Sequence, residues 1–152
     1  MPPPFTPPVQ YRWAMAADMH EALSRLMRRW RRQGIELLPP ATAAEVTQLF
    51  ERLGGVATTD VIALYTTLGG MAEMDDDDFQ LWSLEEIASR APTDDGVLFA
   101  DYLVSSWEYR LVPSAGACNA VWGSLVRHHT GLTLEAFLIS LEAEKDFLDR
   151  YC

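Results

Sequence analysis

The sequence predicts an α+β domain in which an antiparallel sheet of about four to six strands is packed by N-terminal helices and one C-terminal helix. Three observations lead there. The first half repeats apolar residues at spacings of three and four and punctuates them with glycine; after residue 78 the period shortens to aromatic, β-branched runs; a helical period returns at Thr133. Helices, then strands, then a helix is the order of an α+β fold rather than of an alternating parallel sheet, and no internal repeat is visible.

Residues 1–11, with five prolines among the first ten, cannot form a regular hydrogen-bonded ladder and are expected to be a flexible Pro-rich arm. Residues 12–152 then form one domain. Between residues 12 and 33, Trp13, Ala16, His20, Leu23, Met27 and Trp30 fall on one helical face, and Gly34 suits the stop. Thr42 with Glu45 is a capping-box pair that opens a second helix bearing Val46, Leu49, Phe50 and Leu53, with Gly54 after it. A third helix from Thr59 or Asp60 carries Val61, Leu64, Tyr65 and Leu68 and is expected to end at Gly69-Gly70, where a left-handed residue satisfies the last carbonyls. Phe79 to Trp82 reads as a short strand, and Ser83 with Glu86 caps a brief helix ending near Arg90. Residues 96–103, 106–112 and 120–126 read as strands, the first two joined by a two-residue hairpin link. Thr133 caps a last helix that runs to about Arg150, with Leu134, Phe137, Leu138, Leu141 and Leu148 available to cover a sheet face.

Composition narrows the function. With 152 residues, 49% hydrophobic and 22% charged, the chain can bury its own core and belongs to neither the disordered nor the membrane class. No segment approaches the roughly 20 apolar residues that span a bilayer, and the start lacks the features of a secretory signal, so a cytoplasmic location is expected. Cys118 and Cys152 match no metal spacing or disulfide framework. The net charge of -10 is uneven: residues 1–33 hold six arginines against Asp18 and Glu21, which leaves twenty of the 22 acidic residues facing six basic ones. Such a body repels nucleic acid and anionic lipid and attracts a basic protein.

The candidate contact residues follow from that excess. Glu73, Asp75, Asp76, Asp77 and Asp78 crowd one loop, where mutual repulsion favours either solvent or a partner's arginines and lysines. Trp82, Trp107 and Tyr109 flank them in sequence and could supply aromatic anchors, or simply pack the sheet. Strand alternation sets Trp107, Tyr109 and Leu111 on one face and Glu108 and Arg110 on the other. Asp101 could face the partner or pair internally with Arg110 or Arg127. The cluster Arg25, Arg28, Arg29, Arg31 and Arg32 is explained by the dipole at a helix C-terminus and by the acidic excess around it. Catalytic material is sparse. Adjacent His128 and His129 point to opposite faces of a strand and cannot readily share a metal, and His20 reads as a core or boundary residue. Phe79 follows the acidic run where a calcium loop needs glycine, so no cofactor or metal is expected and the chain reads as a binding protein rather than an enzyme.

Several pieces taken in order resemble the SUKH superfamily of bacterial immunity proteins and fungal cell-wall-synthesis regulators. They are the helix of residues 43–53, Leu64-Tyr65-Thr66-Thr67-Leu68-Gly69-Gly70, Leu81-Trp82-Ser83-Leu84-Glu85-Glu86-Ile87, Leu98-Phe99-Ala100-Asp101-Tyr102, Tyr109, and Thr133-Leu134-Glu135-Ala136-Phe137-Leu138. The chain departs from the family at Ala57-Thr58 and at Leu68, where many members have Leu-Pro and Asn. The resemblance implies an immunity-type protein that binds and neutralises a cognate toxin, often a nuclease or another nucleic-acid-modifying enzyme. A carboxylate-rich surface suits that task, because it can fill a basic cleft built for phosphate. The alternative is a regulatory adaptor that joins a larger assembly through its Pro-rich arm and first helix.

Overall fold

A computed structural model of the chain describes residues 9–90, 96–104, 106–113, 119–123 and 128–151. Among these residues, five α-helices and a five-stranded antiparallel sheet make an α+β fold, with the strands in sequential order β1-β2-β3-β4-β5. The helices are α1 (Val9–Arg32), α2 (Ala43–Arg52), α3 (Thr59–Thr67), α4 (Leu84–Ser89) and α5 (Leu134–Ala143). The strands are β1 (Phe79–Leu81), β2 (Val97–Tyr102), β3 (Trp107–Pro113), β4 (Asn119–Gly123) and β5 (His128–Thr133).

The helix starts follow from local chemistry. Thr42 and Glu45 form the reciprocal capping box at α2, the Ser83 hydroxyl accepts from the Glu86 amide at α4, and Thr133 accepts from Ala136 at α5. Gly34 and Gly54, at φ 80 and 78, close the first two helices in the left-handed conformation. The third ends differently from expectation. Leu68 is extended at φ -142, and the glycine pair serves close approach instead: a Cβ on Gly69 would stand 1.9 Å from the Pro39 carbonyl oxygen, where Gly69 N–H donates to Leu38.

The core lies between α5 and one sheet face, with α1 packed on α5. Phe137 of α5 is its centre: Tyr109 and Phe147 lie 5.1 and 5.3 Å away between ring centroids, and Phe99 and Phe79 at 6.2 and 6.4 Å. Tyr109 and Leu111 are buried on this side, so the aromatic face of β3 is the covered one.

Four expectations are corrected. The first helix begins at Val9, inside the expected arm of residues 1–11, and residues 1–8 lie outside the described residues. Among the described side chains its buried stripe is Met19, Ala22, Leu23, Leu26 and Trp30, while His20 is exposed rather than on the apolar face; the expected Trp13 and Ala16 side chains lie outside those described. A fifth strand, β5, pairs with β4 (Trp122↔His129, Ala120↔Thr133), and the expected residues 124–126 of the strand before it lie outside the described residues. The last helix stops at Ala143, with Leu148 in a separate 3-10 turn (Leu148–Tyr151). The stop is tertiary, since the Arg29 guanidinium donates to the Glu142 carbonyl at 2.6 Å and to that of Leu141 at 3.4 Å.

Candidate protein-binding surface

The acidic loop is a tight turn hung on one carboxylate. Asp75 N–H donates to the Phe79 carbonyl and Asp78 N–H to the Asp75 carbonyl, leaving Asp76, Asp77 and Asp78 as a three-residue loop with Asp78 in the left-handed region at φ 62. Aspartate tolerates that conformation better than most residues. The Asp75 side chain points inward, 8% exposed, and accepts from Trp30 Nε1 at 2.8 Å, Asp77 N at 2.9 Å and Phe79 N at 3.0 Å. Gln33 adds a second tie by accepting from the Asp76 amide at 2.8 Å. Burial pushes the Asp75 carboxyl above the usual carboxylate range, against the pull of its three donors.

This scaffold turns the remaining acids outward. Glu73, Asp76, Asp77 and Asp78 are exposed, and among the described residues none of them forms an ion pair. The described ion pairs lie elsewhere, on Arg25 and Arg90. The loop is therefore a fixed, unneutralised set of negative charges rather than one shared with nearby arginines.

Beside it stands the tip of the β2–β3 hairpin. Leu103 N–H donates to the Asp78 carbonyl at 3.0 Å, so the tip and the acidic turn form one unit. Leu103 and Val104 are 42% and 67% exposed, and Val56 is the remaining large exposed hydrophobic among the described residues. Both tip residues have positive φ, 56 and 55, and with Asp78 they are the positive-φ non-glycine residues of the described chain. For a β-branched valine that conformation is strained. The strained pair, Leu103 and Val104, sits at the apolar tip bonded to the acidic turn, and strain persists where surrounding structure imposes it.

The other expected contact residues divide. Trp82, Asp101 and Tyr109, like Asp75, are buried, which removes them from direct contact with a partner. Trp82 Nε1 donates to Asp101 Oδ1 at 3.3 Å, and Arg90 lies 4.1 Å over the Trp82 ring while reaching Glu86 and Glu108. Asp101 thus faces inward, with an indole as one partner. Trp107, paired with Tyr102 at the base of the hairpin, is half-buried with its ring against Gly123 and is the expected aromatic that keeps solvent contact near the tip. Leu103 and Val104 were missed because an apolar residue at a strand end reads as core. The available signal was a hairpin link without Gly, Asn or Asp, which obliges some other residue to adopt positive φ.

Among the described residues no group of three or more His, Cys, Asp or Glu could hold a metal ion, and no helix is long and apolar enough to cross a membrane. Comparisons with family models, curated proteins and solved structures give no match.

Proposed function

We propose that this chain is an immunity-type binding protein that neutralises a basic toxin by seating the acidic turn and the hairpin tip in the toxin's cleft. One observation carries the reading: three adjacent carboxylates, without ion-pair partners among the described residues, are tied through the Asp78 carbonyl and Leu103 N–H to an exposed Leu103-Val104 pair. Productive interfaces combine a central apolar anchor with a charged rim, and here a backbone hydrogen bond joins anchor and rim. Carboxylates arranged in this way compete for a site that holds phosphates and accelerate encounter with it. The order of motifs that resembles the SUKH superfamily supports the same reading.

Growth rescue tests it. Cells expressing the toxin encoded beside this chain are expected to grow when the chain is co-expressed, and the two proteins to co-purify. Replacing Asp76, Asp77 and Asp78 by lysine is expected to abolish rescue while leaving the core packed, since none of the three side chains enters it and lysine at Asp78, with φ 62, adds only a local backbone cost. Rescue that survives this change, at equal expression, would remove the loop from the contact surface.

A further inference from the structure

The acidic turn has a positive neighbour. Arg25, Arg28, Arg29 and Arg32 recur at spacings of three and four on one face of α1 and, with Glu142 of α5, line an open concavity of about 300 Å³. Two of these cations are engaged: Arg25 with Glu21 and Glu142 at 3.7 and 4.0 Å, and Arg29 with the closing carbonyls of α5. Arg28 and Arg32 are exposed and form no ion pair among the described residues. On a chain of net charge -10 these two exposed guanidinium groups form a local positive patch that can attract an acidic surface.

An acidic surface lies close in the fold, and among the described residues no ion pair joins it to Arg28 or Arg32. Arg29 also lines the smaller cavity, about 120 Å³, that Asp75 and Asp77 border at the acidic turn. The basic strip and the acidic turn therefore lie next to each other on one side, with Arg29 between them. The turn is pinned by Trp30 and Gln33, and Arg29 is held by α5. Adjacent fixed patches of opposite sign are self-complementary under a two-fold axis, because each copy's negative patch meets the other's positive one.

We propose that two copies of this chain associate through a two-fold interface in which the Asp76-Asp77-Asp78 turn of each enters the Arg25, Arg28 and Arg32 concavity of the other. A nucleic acid fits this side poorly, since a polyanion reaching the strip would also meet the free carboxylates next to it. The proposal goes beyond the toxin-binding reading and implies competition with it: a second copy covers the turn, and a more basic partner displaces it. The two can fail separately, because the following experiment contains no toxin.

Sedimentation of the full chain, from micromolar to submillimolar concentration, is expected to give a monomer–dimer equilibrium. Its dissociation constant should rise by about tenfold or more when ionic strength is raised from roughly 0.05 to 0.5 M. R28E/R32E and D76R/D77R, each confirmed as folded by circular dichroism, are each expected to be monomeric alone. Mixed together, they are expected to regain the dimer mass, since the reversed patches complement one another. A wild-type chain that stays monomeric at all concentrations overturns the proposal, whether or not it binds an added polyanion such as heparin. So does a pair of variants that dimerise like wild type, or that fail to associate on mixing.

Discussion

At the scale of single residues, Asp75 shows how far a side chain's role can depart from its type. In sequence it is one of four equal aspartates; in the fold it is the internal peg of the turn, with three donors and no exposed work. Asp75→Ala would strand Trp30 Nε1 and two backbone amides and is expected to cost about 2–4 kcal/mol in urea unfolding. The pH dependence has a definite sign. Because burial raises the folded pKa above the ordinary carboxylate value of 3.8 that holds in the unfolded chain, the folded state binds this proton more tightly than the unfolded chain. The Asp75 contribution is therefore least favourable at neutral pH. It improves as pH falls through the raised value towards 3.8, so the stability gap between wild type and Asp75→Ala should widen over that interval. A gap that narrows there would contradict the burial argument.

Val104 makes the opposite trade. Its left-handed backbone is an energetic cost that a glycine or asparagine would relieve, so Val104→Asn is expected to raise stability by about 0.5–1 kcal/mol. The same change removes an exposed apolar group from the proposed anchor and should weaken toxin binding about tenfold or more. Loss of stability, or unchanged binding, would contradict the role given to the tip. The charge run identified the loop in the sequence, yet nothing local distinguished the inward aspartate from the outward three, because that choice is made by Trp30, forty-five residues away.

At the scale of elements, what was legible was what is local. Capping pairs at Thr42, Ser83 and Thr133 placed three helix starts, and alternation sorted the faces of β3. The phase of α1 was misjudged because Leu23 and Trp30 belong to two overlapping stripes, and only packing on α5 selects the one with Met19 and Leu26. The strand β5, His-His-Thr-Gly-Leu-Thr, has no apolar run and exists through its ladder with β4. The end of α5 is set by a guanidinium from another helix. Gly69 is the sharpest test at this scale. Gly69→Ala would drive a methyl into the Pro39 carbonyl, backbone against backbone, and is expected to destabilise the chain by about 3 kcal/mol or more. Denaturant midpoints would show it, and a near-neutral effect would mean that this crossing of α3's end with residues 38–39 is looser than described.

At the scale of the whole molecule, charge and fold act together. Among the described residues, Asp76, Asp77 and Asp78 form no ion pair, and the described pairs lie at Arg25 and Arg90. Long-range attraction should consequently govern the rate of encounter more than the lifetime of the complex, and lysine substitution of the turn should flatten the salt dependence of association. The most direct measurement places a photo-crosslinking phenylalanine analogue at Val104 of the chain in its own cells, with the same analogue at Glu51, exposed on α2, as the control. The expected result is a discrete adduct of Val104 with a basic protein, one distinct in mass from a second copy, which disappears when Asp76, Asp77 and Asp78 become lysine. No such adduct at Val104, or one that forms equally at Glu51, would contradict the claim that the acidic turn and hairpin tip are the working surface.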